Sequence, residues 1–255
     1  MAQSRLEQRI RAANAAGRKA LIPFLPGGYP ERGRFWNEIT ALDEAGADII
    51  EIGVPFSDPV ADGPVVEEAS LACIESGVCL EWILRELMTR RSRIRAEIVL
   101  MGYMNPFYQY GLQRFAADAA EAGVAGIIIP DVPLEEASEF RTELDKVDIA
   151  LIPLIGLNTP RERMEQYAAV SSGFVYLVSV LGITGARDSL PEKVRGKLAE
   201  AREAFDLPLA LGFGIKTPAQ LEPFAEHLDA VVFGSALIQH IREGKDAADF
   251  MQRWR

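Results

Sequence analysis

The chain has 255 residues, 49% of them hydrophobic, and a formal net charge of −10. That length and apolar content suit one large α/β domain. The acidic balance argues against nucleic acid or an anionic membrane surface as partner, and no apolar run is long enough to span a bilayer.

The first seventeen residues, MAQSRLEQRIRAANAAG, form a charged amphipathic helix with Leu6 and Ile10 on one face. They have no hydrophobic signal core. Residues 19–24 read as a short apolar strand ending in Pro26-Gly27-Gly28. A helix over 31–44 carries Phe35, Ile39 and Leu42 on one face and stops at Gly46. The segment 48–64, DIIEIGVPFSDPVADGP, opens as a buried strand over 48–52 and becomes a Gly/Pro loop.

Two helices are predicted over 65–76 and 80–89, then a strand over 97–101 running into GYMNPFYQYG. A helix over 111–122 precedes a strand over 126–130, and another helix starts at Leu134. Strand five is expected over 149–153, with Pro160 in the first turn of the next helix. Strand six covers 174–178 and is followed by LGITGARDSL and a helix over 191–204. Strand seven covers 207–211, then GFGIKTP and a helix from Ala219. Strand eight covers 230–233 and leads into GSALIQHI.

Eight strands alternate with helices over short connections, and the strand runs are continuously apolar, as parallel strands covered on both faces are. The pattern predicts an α/β chain that forms a single (β/α)8 barrel of the TIM type with an extra N-terminal helix, one domain over 1–255. A doubly wound open sheet is the alternative, but no G-x-G-x-x-G opens the first unit.

Glu51 sits inside an apolar strand, where an unpaired carboxylate is costly to bury. Either it points at water from an edge strand, or it is aimed into a site at the C-terminal end of a barrel strand. Asp62, within ADGP, is either a turn-shaping carboxylate or a second acid of that site. Asp58, before Pro59, reads as a turn starter. Two carboxylates in different surroundings can divide acid and base work.

The last three strands each end in glycine: Gly182 to Gly185, Gly212 to Gly214, and Gly234-Ser235 before a helix. Such loops bring backbone N–H groups close to an anion, and the loops after strands seven and eight form the frequent phosphate site of barrels. Phe24, Met101, Ile128, Ile152 and Phe213 are candidates for an apolar wall between the two ends. Each reads first as barrel core and second as ligand wall.

Cys73 and Cys79 lack zinc or redox spacing and read as free thiols of a reducing compartment. His227 and His240, the two histidines, lie in helical stretches, which disfavours a His-based metal site or a Ser-His-Asp triad. Lys216, past strand seven, is the candidate for a Schiff-base aldol mechanism and otherwise a solvated loop lysine.

The string EIGVPFSDPVADGP resembles the signature of the tryptophan synthase alpha chain family. The resemblance continues through GYMNPFYQYG, GIIIPDVPLEE, YLVSVLGITGAR, GFGIKTP and VVFGSA, in order and over essentially the whole chain. It implies a barrel that cleaves indole-3-glycerol phosphate to indole and glyceraldehyde 3-phosphate. Carried onto this sequence, it implies Glu51 and Asp62 as catalytic with Tyr176 beside Glu51. It places the phosphate on Gly185, Gly214, Gly234 and Ser235, and the indole against Phe24, Met101, Ile128 and Phe213.

Loops 53–64 and 179–190, the latter with Thr184, correspond to lids, and rim segments 102–107 and 130–134 to partner-facing surface. The partner implied is a beta chain carrying pyridoxal phosphate, in a cytoplasmic assembly of two alpha and two beta chains, with no cofactor in this chain. A stand-alone lyase and a barrel that mainly activates its partner remain open. Tyr29 stands where the family commonly has Asp, and Val65 and Glu67 where Thr and Gln are common. These departures touch the first loop and the lid.

Overall fold

A computed structural model describes residues 3–179, 193–212, 215 and 217–254. Nine parallel strands run in the order β5-β4-β3-β2-β1-β9-β8-β7-β6. They are β1 Ala20–Pro26, β2 Ile49–Gly53, β3 Glu97–Met101, β4 Val124–Ile128, β5 Ala150–Leu151, β6 Leu154–Gly156, β7 Val175–Val178, β8 Leu209–Gly212 and β9 Ala230–Phe233. β5 and β6 are two pieces of one stave. The first pairs with β4 and the second with β7. The residues between bridge both sides, since the Ile152 amide donates to Ile127 O and Pro153 O accepts from the Tyr176 amide. The sheet therefore curls into an eight-staved barrel.

Helices pack around it: α1 Arg5–Ala15, α2 Arg32–Glu44, α3 Pro64–Glu75, α4 Leu80–Arg90, α5 Met104–Tyr110, α6 Leu112–Glu121, α7 Ser138–Asp145, α8 Arg161–Ala168, α9 Lys193–Ala204, α10 Ser235–Arg242 and α11 Ala247–Met251. The expected elements are present, with five corrections. Strand four lies two residues earlier than 126–130. Strand five is broken, because Pro153 has no N–H to donate. The stretch after strand three contains α5, separated from α6 by Gly111 at φ +90°. The segment predicted as a helix from Ala219 is 3-10 over Pro218–His227, with Pro223 inside it. The helix expected from Leu134 starts only at Ser138, after a run of turns.

Alternation decides which side chains enter the barrel. Phe24, Glu51, Val99 and Gly126 are register partners across four neighbouring strands and share its inner face. α1 closes the N-terminal mouth. Leu6 and Ile10 are fully buried, and a Cβ at Gly126 would lie 2.6 Å from Leu6 Cδ1. Each such side chain contributes roughly 1.5–3 kcal/mol through burial. At the same end Asp48 accepts both Arg18 Nη atoms at 2.6 and 2.8 Å and the Leu21 amide at 3.0 Å. With its bottom plugged, the barrel leaves its C-terminal rim for chemistry.

Candidate active site

Glu51 occupies the middle of β2 and is 1% exposed. The edge-strand alternative is excluded, because β2 pairs with β1 on one side and β3 on the other. Its Oε2 has no hydrogen-bond partner among the described residues. Burial, and then the charge of Asp62, push its pKa up to about 8. A buried carboxyl oxygen without a partner is rare and marks a position that a ligand group can fill.

Asp62 lies in the loop between β2 and α3, partly buried. Burial raises its pKa to about 6, a hydrogen bond from Tyr103 pulls it back down, and Glu67 pushes it up. Tyr103 Oη donates to Asp62 Oδ2 at 3.1 Å and accepts from the Ala61 amide at 3.0 Å. The Phe56 ring stacks on Tyr103, with centroids 5.3 Å apart. Tyr103 went unrecognised in the sequence as a site residue. The available signal was an aromatic hydroxyl two residues past β3, on the rim that carries the Asp62 loop.

Tyr176, on β7, is 4% exposed. Its pKa stands well above the usual tyrosine value through burial and then the charges of Glu51 and Asp62, which places the three groups together. A Cβ at Gly212 would come within 2.2 Å of the Tyr176 hydroxyl oxygen. Glycine at the end of β8 is therefore what lets the ring lie flat across that strand. Ser179 Oγ donates to Gly212 O at 2.8 Å and fixes the same strand end.

Phe24 forms the floor. Its ring lies within 2.8 Å of a Cβ built on Gly53 and within 2.7 Å of one on Gly234, so two glycines make room for one aromatic side chain. Met101 and Ile128 end β3 and β4, both buried, and Ile152 is buried on the neighbouring stave. Gly234 is the N-cap of α10 and Ser235 its first residue. Gly185, Gly214, Phe213, Thr184 and Lys216 lie outside the described residues.

The departures at the first loop and the lid are also located. Tyr29 is buried and hydrogen-bonds to Arg242 of α10, which pairs with Glu68 of α3 at 3.0 Å. Val65 and Glu67 sit in the first turn of α3. Asp58 accepts from its neighbour Ser57, in keeping with a turn. Met104, at the start of α5, donates its amide to Asp131 Oδ1 at 3.0 Å, which joins the two rim segments. Among the described residues no three His, Cys, Asp or Glu side chains are grouped to hold a metal ion. Burial raises the Cys73 thiol to about 12, and Cys79 is exposed.

A barrel whose C-terminal rim brings together two carboxyl groups that burial raises to about 8 and about 6, over an apolar floor and beside a helix N-terminus, has the arrangement of a β/α-barrel enzyme site. The comparisons narrow the class. Residues 10–253 match the model of the tryptophan synthase alpha chain family. The chain is 62% identical over 255 residues to the tryptophan synthase alpha chain of Solidesulfovibrio magneticus, covering both chains fully. It is 61% identical over 254 residues to that of Nitratidesulfovibrio vulgaris, covering 100% of this chain and 99% of the other.

Among solved structures it is similar to Mycobacterium tuberculosis tryptophan synthase, at TM-score 0.91 and 33% identity over 100% of this chain and 99% of that one. A Legionella pneumophila tryptophan synthase alpha chain gives TM-score 0.86 at 30% identity, covering 99% and 95%. The chain belongs to the tryptophan synthase alpha chain family.

Proposed function

We propose that Glu51 and Asp62 carry the chemistry of this chain as an acid–base pair. The alpha chain of tryptophan synthase cleaves indole-3-glycerol phosphate, and this chain is a carbon–carbon lyase of that kind in tryptophan biosynthesis. The observation that carries the residue assignment is the buried Glu51 oxygen with no partner, close enough to Asp62 to feel its charge.

Retro-aldol cleavage needs a proton at indole C3, support for positive charge spreading to the ring nitrogen, and removal of the side-chain hydroxyl proton. At neutral pH Glu51 is mostly protonated and Asp62 mostly ionised. Glu51 gives its proton to C3. Asp62 accepts the ring N–H and stabilises the indoleninium-like state. The Glu51 carboxylate then takes the hydroxyl proton, the carbon–carbon bond breaks, and its electrons return to the ring as the aldehyde forms. Glu51 recovers the proton it lost, so the cycle balances.

Tyr176 orients Glu51. Phe24, Met101 and Ile128, with Phe213, receive the indole. The phosphate meets the α10 N-terminus at Gly234 and Ser235, with Gly185 and Gly214 completing its site and Thr184 on the closing lid. Binding at that remote end holds the reacting bond in place.

Family members act with a beta chain, and the alpha chain does not itself bind pyridoxal phosphate. The finer reading is one β/α-barrel domain over 1–255 in a cytoplasmic assembly of two alpha and two beta chains. Its rim segments 102–107 and 130–134 would face the beta chain, which carries pyridoxal phosphate and receives indole.

The test is indole release from indole-3-glycerol phosphate, with and without a tryptophan synthase beta chain. Slow release that rises with the partner, and is lost in Glu51→Gln, supports the reading. Release indifferent to the partner removes the regulated complex and leaves a stand-alone lyase. Full activity of Glu51→Gln rejects the residue assignment.

A further inference from the structure

A cavity of about 100 Å³ lies away from the carboxylate site, on the outer side of the barrel wall. Strand alternation sets which side it is on. Ala150 pairs with inward-facing Gly126, so Leu151 faces outward, as does Ile129 one residue beyond β4. Both line the cavity, together with Phe140 and Arg141 of α7 and Tyr167 of α8, and with Ser171 just past α8. The cavity's outer wall is the run of turns before Ser138, which supplies Leu134 and Ala137, and the start of α7.

Arg141 is the unusual member of this lining. Every other half-buried arginine among the described residues has a carboxylate partner: Arg9 with Asp48, Arg34 with Glu38, Arg90 with Glu86, Arg91 with Glu97, Arg163 with Glu135 and Arg202 with Asp229. The Arg141 amide donates to Ala137 O within the helix, but its guanidinium has no hydrogen bond and no ion pair among the described residues. Nor does the Ser171 hydroxyl. A guanidinium presents a fixed fork of donors that matches a carboxylate. Here it borders a recess whose other walls are largely aliphatic or aromatic. At about 100 Å³ the recess is smaller than the roughly 150 Å³ that holds benzene, so it takes the apolar end of a small molecule and leaves the polar end at its mouth.

We propose that this cavity is a second binding site, for a compact apolar monocarboxylate whose body fills the recess and whose carboxylate pairs with Arg141. The pair forms at the edge of a low-dielectric wall, where a charge-assisted hydrogen bond is stronger than at an open surface. Ser171 supplies a further donor at the same mouth. No carboxylate of the pair lines the site, which stands whether or not the catalytic assignment above holds; Pro130, Val132 and Leu134 of the rim segment assigned above to the beta chain do line it, so the chain is titrated without that partner.

Benzoate is the probe and benzyl alcohol its neutral control, both titrated into 15N-labelled full-length chain with inorganic phosphate present to occupy the rim. Saturable shifts of the Leu151 and Ser171 amides with benzoate are expected. Arg141→Gln should weaken benzoate tenfold or more, the scale of a lost hydrogen bond to a charged group, and leave the alcohol unchanged. Arg141→Lys, which keeps the charge and loses the fork, should fall between. Equal binding of acid and alcohol with no effect of Arg141→Gln would make the cavity a mere apolar void and overturn the proposal. So would benzoate shifts confined to Gly234 and Ser235, or shifts that never saturate.

Discussion

The Tyr103 hydroxyl donates to Asp62 and is itself held by the Ala61 amide, at 3.1 and 3.0 Å. One side chain from the end of β3 thus fixes both the position and the charge state of a carboxylate on the neighbouring loop. Its bond lowers the Asp62 pKa, and Glu67, one turn into α3, raises it. Tyr103→Phe should therefore move the acid limb of kcat/KM upward by about one pH unit. Glu67→Gln should move it downward. A limb that stays put in both variants would detach it from Asp62.

The wild-type profile should be a bell. Asp62 ionises near pH 6 and Glu51 loses its proton near pH 8, so kcat/KM rises through the first and falls through the second. Asp62→Asn should remove the acid limb and lower the rate by roughly 10²–10⁴. Indole release followed from pH 5 to 9.5 reads both limbs.

Glu51 also makes the fold pH-sensitive. Its pKa is raised by folding, so the unfolded chain releases this proton first as pH increases. Its contribution to stability is intact below the ordinary carboxylate range and is lost between about 4.5 and about 8. The loss is at most about 1.4 kcal/mol per pH unit. Glu51→Gln removes this dependence. Its Tm should exceed that of the wild type at pH 8 and the gap should shrink towards pH 4.5, while lyase activity is abolished. Calorimetry at the two pH values checks the sign.

Gly212 is where the barrel accommodates the Tyr176 ring, and a methyl group there would overlap the hydroxyl. Gly212→Ala should displace Tyr176, cost about 1–3 kcal/mol and lower kcat more than it raises KM. A variant with wild-type kcat would show that Tyr176 does not orient Glu51.

The opposite mouth should behave differently. Asp48 is 3% exposed and bound by Arg18 and the Leu21 amide. Asp48→Asn should cost about 1–2 kcal/mol, since it removes the charge of a buried acceptor while its partner Arg18 stays half-exposed and solvent-screened. At a temperature where the variant remains folded, kcat should be unchanged. Denaturant melts paired with single-temperature kinetics separate the two effects.

Local patterning carried much of the fold. Short, largely apolar runs such as IIEIG and VVF, bounded by glycine and rich in β-branched residues, read as strands covered on both sides, and eight of them alternating with helices leave few architectures. The resemblance named the carboxylates, and Glu51 betrayed itself as an acid within an apolar run. What local patterning did not carry was every feature set by contacts between distant segments. Pro153 breaks strand five, and only the closed barrel shows that the first piece pairs with β4 and the second with β7. Tyr103 joined the site through a bond spanning forty-one positions, to Asp62, which no spacing within one strand encodes.

The pKa values of Glu51 and Asp62 likewise belong to tertiary structure. Both carry the same functional group, and only burial and the neighbouring charges and hydrogen bonds separate them. The sequence determined which side chains of a strand share a face, because alternation is local. The closed barrel decided how far each is desolvated and which neighbour holds it, and in the proposed mechanism those two quantities separate the proton donor from the charge stabiliser.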